Sequence, residues 1–116
     1  SVHVDGRASN RNLIDVDVLS ALKSTCLLIN TSRGMVVDAA ALSDWARRVA
    51  ASGGRAVIDV HDPEPPPSDY PLLGLTNVRL LPHLASRTGP ALANMSWVVR
   101  DVVEVLAGRA AKYPAP

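Results

Sequence analysis

The sequence predicts an α/β domain built on a parallel β-sheet. Three observations carry this. Short, continuous apolar runs alternate along the 116 residues with segments of helical period. Within the runs, polar and apolar residues do not alternate, the pattern of strands covered on both faces. Ala, Val and Leu supply most of the apolar residues and Phe is absent, which suits helices lying close on such a sheet. With 47% apolar and 20% charged residues, the chain has the material for one core and the length for one small domain.

The elements follow in order. Residues 2–4 read as a strand stub and residues 5–12 as a polar loop. Ile14, Val18, Leu19 and Leu22 have helical spacing. Asp15 and Asp17 suit the first turn of that helix and Lys23 its last, because carboxylates favour the positive end of the helix dipole and cations the negative end. Residues 26–30 (Cys-Leu-Leu-Ile-Asn) are a strand buried on both faces. Asp38 is a suitable N-cap for a helix from Ala39 to about Ala51, with Leu42, Trp45, Ala46 and Val49 as its buried stripe. Ser52, Gly53 and Gly54 end it. Residues 56–60 form a second strand, and five prolines between 63 and 71 exclude both helix and ladder from the next loop. Residues 78–81 form a third strand, stopped by Pro82. A last helix starts near Thr88, tolerates Pro90 in its first turn, carries a broad apolar face through Leu106 and ends at Gly108. Residues 109–116 are expected to be a tail, frayed from Lys112 onward.

Composition excludes several classes of function. A net charge of +1 offers no field for nucleic acid. One cysteine, Cys26, permits neither an internal disulfide nor a cysteine zinc site, and no metal centre is expected. No apolar run approaches the ~18 residues of a membrane span, so no membrane partner is expected. The first residues are not a basic region followed by an apolar stretch, which argues against a secretory signal. A cytoplasmic protein is the simplest expectation. The chain opens on Ser1-Val2-His3-Val4, without Met and as if inside a strand, and is read as a piece of a longer protein.

A parallel sheet joined by right-handed crossovers binds its ligands beyond the carboxyl ends of its strands. Residues 5 onward, 31–34, 59–64 and 82–86 all follow strand ends, so their polar side chains are candidates to converge. Arg33 is either a surface loop cation or a clamp for a carboxylate, which a guanidinium pairs through two parallel hydrogen bonds. His83 is a structural histidine or a proton donor working near neutral pH. Glu64 is a solvated charge or the partner that favours a protonated imidazole. Asp59 is a strand-end cap or a carboxylate placed for a ligand.

These residues also carry a resemblance. Leu28-Ile29-Asn30-Thr31-Ser32-Arg33-Gly34, with Val36-Val37-Asp38 and Ala41-Leu42 following, resembles the arginine motif of the D-isomer-specific 2-hydroxyacid dehydrogenases. Asp59-Val60-His61-Asp62-Pro63-Glu64-Pro65 resembles that family's aspartate-to-glutamate motif. Residues 71–78, then Leu81-Pro82-His83-Leu84-Ala85-Ser86 and Thr88, resemble its proline-histidine motif. The three stand in the family's order across residues 2–108.

The resemblance implies that residues 1–108 are the second half of a Rossmann-like, doubly wound NAD(P)-binding domain. The implied reaction interconverts a 2-keto acid and a D-2-hydroxy acid with NAD, or alternatively NADP. Arg33 would bind the substrate carboxylate and polarise its carbonyl. His83 would exchange the proton, and Glu64 would orient His83. Cofactor contacts are implied at Val4, Asn10, Thr31, Ser32, Asp59, His83, Ala85 and Ser86. The intact parent is implied to be a homodimer. An NAD(H)-sensing, corepressor-like interaction protein on the same fold is the alternative. Departures occur at Asp5, where the family often has proline, and in residues 6–9. His61 stands where an aromatic or apolar residue is common; it is either a second titratable group near the site or a surface substitution, and is read as the latter. No Gly-x-Gly-x-x-Gly occurs in the 116 residues. The chain taken alone is therefore expected to be inactive.

Overall fold

The structure is a computed structural model and describes residues 1–114. Three strands form one parallel sheet in the order β1-β2-β3: β1 Leu27–Asn30, β2 Arg55–Ile58 and β3 Val78–Leu80. Leu27 stands opposite Arg55 and Asn30 opposite Ile58, while Ala56 stands opposite Val78 and Ile58 opposite Leu80. All three strands therefore end on one edge. The expected strand stub at residues 2–4 contracts to a single bridge, Val2 beside Asn30, with the Val2 amide donating to the Ile29 carbonyl at 2.9 Å.

Helix α1 spans Val16–Ala21 and α2 spans Ala39–Val49. Asp15 caps α1 by accepting from the amides of Asp17 and Val18, and Asp38 caps α2 by accepting from those of Ala40 and Ala41. Each satisfies donors that the first helical turn leaves without partners. α1 is shorter than the periodicity suggests. Leu22 is already extended, so Lys23 lies outside the last turn. α2 packs on α1 and on β2, and Leu42, Trp45, Ala46 and Val49 are all buried as expected. They close over Leu28, Ala56 and Ile58. The opposite sheet face is not covered equally: Leu27 is 52% exposed and Ile29 and Val57 are half-buried. Burial of β1 on both faces, as its apolar run suggested, is therefore not found within this unit.

The chain divides into two compact units, residues 1–83 and residue 84 onward. In the second unit the expected single helix is two, α3 Gly89–Ser96 and α4 Val98–Leu106. At Trp97 the backbone bonds tighten to a three-residue spacing: Trp97 donates to Asn94 and Arg100 donates to Trp97. The Thr88 hydroxyl caps α3 through the Ala91 amide, with Pro90 in the first turn. Gly108, at φ +75°, lets Arg109 donate back to the Glu104 carbonyl and close α4. Neither helix buries a residue, and Val98 and Leu106 are 65% and 82% exposed. The tail expected to fray from Lys112 makes two hydrogen bonds to the second helix of this unit. The amides of Lys112 and Tyr113 both donate to the Asp101 carboxylate, at 3.0 and 2.8 Å. Positions 115 and 116 of the predicted tail lie outside the described residues.

Candidate active site

The site begins where β1 stops. Asn30 is wholly buried, and its amide folds forward over the next three residues. Its Oδ1 accepts from the Ser32 amide at 3.0 Å and the Ser32 hydroxyl at 2.7 Å, and its Nδ2 donates to the Arg33 carbonyl at 3.0 Å. This bracket turns the chain out of the sheet. Arg33 consequently emerges exposed, its Nη1 donating to the Ser32 carbonyl at 2.7 Å. Its stem lies over Gly6, where an added Cβ would come within 3.2 Å of Arg33 Cγ. The next residue must be glycine for a similar reason. A Cβ on Gly34 would fall 2.0 Å from the His61 carbonyl carbon and 2.6 Å from the Asp62 nitrogen. The loop after β1 thus sits directly on the loop after β2, and Arg11 adds an ion pair to Asp62 at 2.9 Å.

In that second loop, Asp59 is 1% exposed and its amide donates to the Asn30 carbonyl at 3.0 Å. Two residues on, His61 is buried rather than a surface substitution. Its Nε2 lies 2.8 Å from the Leu81 carbonyl, and its ring meets Tyr70 edge to face at 5.7 Å. Burial pushes the Tyr70 hydroxyl above its ordinary pKa, and the nearby Asp62 carboxylate adds to the effect.

Glu64 and His83 meet across the second and third loops. Both carboxylate oxygens of Glu64 are 3.1 Å from His83 Nδ1, an arrangement in which Nδ1–H donates. The two side chains are 39% and 41% exposed. His83 has φ +56°, a left-handed backbone that aims its ring differently from an extended residue. A hollow of about 470 Å³ adjoins Glu64, lined also by His61, Leu73, Leu80, Leu81 and Pro82.

The remaining candidates divide. Thr31 is half-buried at the end of β1, and Val4 is half-buried against the core. The Ser32 hydroxyl is committed to Asn30. Asn10 braces its own loop, its Nδ2 donating to the Asp5 carbonyl at 3.0 Å and the Asp5 carboxylate at 2.8 Å. The hydrogen bond from Arg7 holds the Asp5 carboxyl below its usual range. Ala85 and Ser86 belong to the second unit, exposed and half-buried respectively. Sequence reasoning assigned no part to Asn30 or to the contacts of His61. The signal for Asn30 was present: an amide side chain ending an otherwise apolar strand, followed by two hydroxyl residues.

A parallel α/β sheet that gathers its polar side chains at the carboxyl edge is the architecture of the dinucleotide-binding enzymes. A family model described as the NAD binding domain of D-isomer specific 2-hydroxyacid dehydrogenases matches residues 1–85, and the chain belongs to that family. It is 38% identical over 109 residues to a glyoxylate reductase of Thermofilum pendens, covering 93% of this chain and 32% of that protein. It is 36% identical over 111 residues to a D-3-phosphoglycerate dehydrogenase of Archaeoglobus fulgidus, covering 93% and 20%. The chain thus spans a third or less of these curated relatives. Among solved structures, a D-isomer specific 2-hydroxyacid dehydrogenase of Xanthobacter autotrophicus Py2, crystallised with NADPH and MES, superposes with a TM-score of 0.80 at 31% identity. The match covers 99% of this chain and 46% of that one.

Proposed function

We propose that residues 1–108 are the carboxyl half of the NAD(P)-binding domain of an enzyme that interconverts a small 2-keto acid and the corresponding D-2-hydroxy acid. The observation that carries this is the Glu64–His83 pair, with both carboxylate oxygens 3.1 Å from Nδ1. With Nδ1 engaged, the proton to be moved resides on Nε2. His83 gives that proton to the substrate carbonyl oxygen in reduction and takes it back in oxidation. Glu64 fixes the ring and compensates the imidazolium charge. Arg33 pairs the substrate carboxylate through its two-pronged guanidinium and opposes the negative charge that develops on the carbonyl oxygen.

The chemistry of the strand-end donors fits a nicotinamide cofactor. Thr31 carries a hydroxyl directly beyond β1, and Asp59, buried and engaged within the protein, carries a carboxylate directly beyond β2. Val4 supplies apolar surface, whereas Ser32 and Asn10 act as scaffold because their polar groups are used internally. Bound NAD(P)H supplies the hydride that this reaction requires. The 116-residue chain taken alone is proposed to turn over no substrate, since its sequence holds no glycine-rich loop for a pyrophosphate. The curated relatives described above are named as enzymes, and no observation favours a corepressor-like sensor.

The test is NAD(P)H oxidation by the full-length protein across a panel of small 2-keto acids. His83→Gln lowers kcat by ~10²–10⁴-fold, the usual worth of a positioned proton donor. Glu64→Gln has a smaller effect of the same kind. Absence of turnover across the panel, or a His83→Gln variant with undiminished kcat, would refute the proposal.

A further inference from the structure

We propose that His61 is a positioning residue for His83: through Leu81, its imidazole fixes the turn that presents the proton donor. The inference rests on the reading of His83 given above. Leu81 is the last residue bonded to the sheet, its amide donating to the Ile58 carbonyl at 2.9 Å. Pro82 follows and has no N–H to donate. His83 then adopts φ +56°, a region that residues with a side chain seldom occupy. After Leu81, Pro82 therefore adds no backbone donor toward the sheet.

His61 donates from the neighbouring strand end to the carbonyl that precedes Pro82, with Nε2 2.8 Å from the Leu81 oxygen. A carbonyl only accepts, so in this bond Nε2 carries a proton. His61 is 7% exposed, and its bond to Leu81 is part-buried beside the hollow. The ring's edge-to-face contact with Tyr70 is one that a phenylalanine would also make. Only the nitrogen distinguishes the two, and His61 Nδ1 is buried without a hydrogen-bond partner among the described residues. An aromatic that merely filled space would need neither nitrogen. Glu64 and His61 thus hold the same turn at two points, one on the imidazole of His83 and one on the peptide two residues before it.

Two variants of the full-length protein separate packing from positioning. His61→Phe keeps a ring and removes the donor. His61→Gln keeps a donor at comparable reach and removes the ring. Loss of alignment is expected to lower kcat of His61→Phe about tenfold, with KM for NAD(P)H unchanged, and His61→Gln is expected to recover most of kcat. Wild-type kcat in His61→Phe, or equal impairment of both variants, would overturn the proposal. Histidine ¹⁵N NMR gives a readout that does not need turnover. In the wild type, His61 is expected to show a protonated Nε2 and a bare Nδ1. The His83 ring signals should move in His61→Phe and return in His61→Gln. The opposite tautomer, or His83 signals indifferent to both changes, would equally overturn it. If the wild type reduces no 2-keto acid, the proposed function fails while these spectra still decide the role of His61. If His61→Phe does not fold, the wild-type tautomer and the His61→Gln spectrum decide it.

Discussion

Replacing Asn30 with alanine removes three hydrogen bonds, two of them buried and one part-buried. Asn30 is 0% exposed and Ser32 is 7% exposed. The bonds lost run from the Ser32 amide, from the Ser32 hydroxyl and to the Arg33 carbonyl. At a net worth of about 1 kcal/mol each, the loss is about 3 kcal/mol. That energy is local, because all three bonds hold residues 32–33. Hydrogen exchange read by mass spectrometry on the full-length protein is therefore the most direct assay. Protection of the Ser32 amide should fall about 100-fold, given about 1.4 kcal/mol per factor of ten. An Asn30→Asp variant sharpens the reasoning. Its carboxylate can still accept from Ser32 but sets an acceptor against the Arg33 carbonyl, and it buries a charge. Burial raises the pKa of such a carboxyl above its unfolded value. Its stability should accordingly be greatest at low pH, where the proton is bound, and fall as pH rises through the folded pKa. Exchange at Ser32 within about threefold of wild type in Asn30→Ala would show that the bracket is worth less than about 0.7 kcal/mol and refute the reasoning.

Further outcomes follow from the same geometry. Gly34→Ala places a Cβ 2.0 Å from the His61 backbone, so the loops after β1 and β2 must part. Overpacking of this kind costs about 1–3 kcal/mol, and chemical denaturation should show at least that loss together with a lower kcat. A variant as stable as wild type would mean that the two loops are not in contact. Tyr70 should ionise above the ordinary tyrosine value of 10.0, because burial and then Asp62 disfavour the phenolate. The sign follows: the proton is held more tightly in the folded state, so its contribution is fully present below about pH 10 and lost as pH rises through the folded pKa. Ultraviolet difference titration of wild type against Tyr70→Phe checks this, and an ordinary midpoint would contradict it. Finally, calorimetry on the 116-residue chain should find only weak binding of NADH. Micromolar affinity would show that the strand-end residues suffice without a glycine-rich loop.

Much of the fold was legible because local physics fixes it. Asp38 and Thr88 declare helix starts through short side chains that can reach the free amides of a first turn, and both act as caps. The stripe Leu42, Trp45, Ala46 and Val49 follows from 3.6-residue periodicity and is buried. Gly108 announces the end of α4 because glycine alone takes φ +75° without steric penalty. Less legible were features set by competition between elements. A continuous helix from Thr88 to Leu106 satisfies its own periodicity, and nothing in that pattern marks the tightening at Trp97. The amides of Lys112 and Tyr113 bond a carboxylate eleven and twelve residues earlier, a separation that local propensity does not sense.

The sequence by itself determined the parallel α/β class, the strand ends at which polar residues gather, and the family motifs in which Arg33, Glu64 and His83 stand. Each of these follows from short-range pattern or from motifs a few residues long. Only the tertiary structure decided which groups touch. Glu64 reaches His83 across 19 residues, and Gly34 yields its Cβ space to the His61 backbone across 27 residues of chain. Asn30 turns from the last residue of a strand into the bracket of the loop. His61 turns from an expected surface residue into a buried donor on Leu81. For the three contacts between loops, what meets depends on what the sheet register brings alongside, and register belongs to the pairing of strands, not to any one of them.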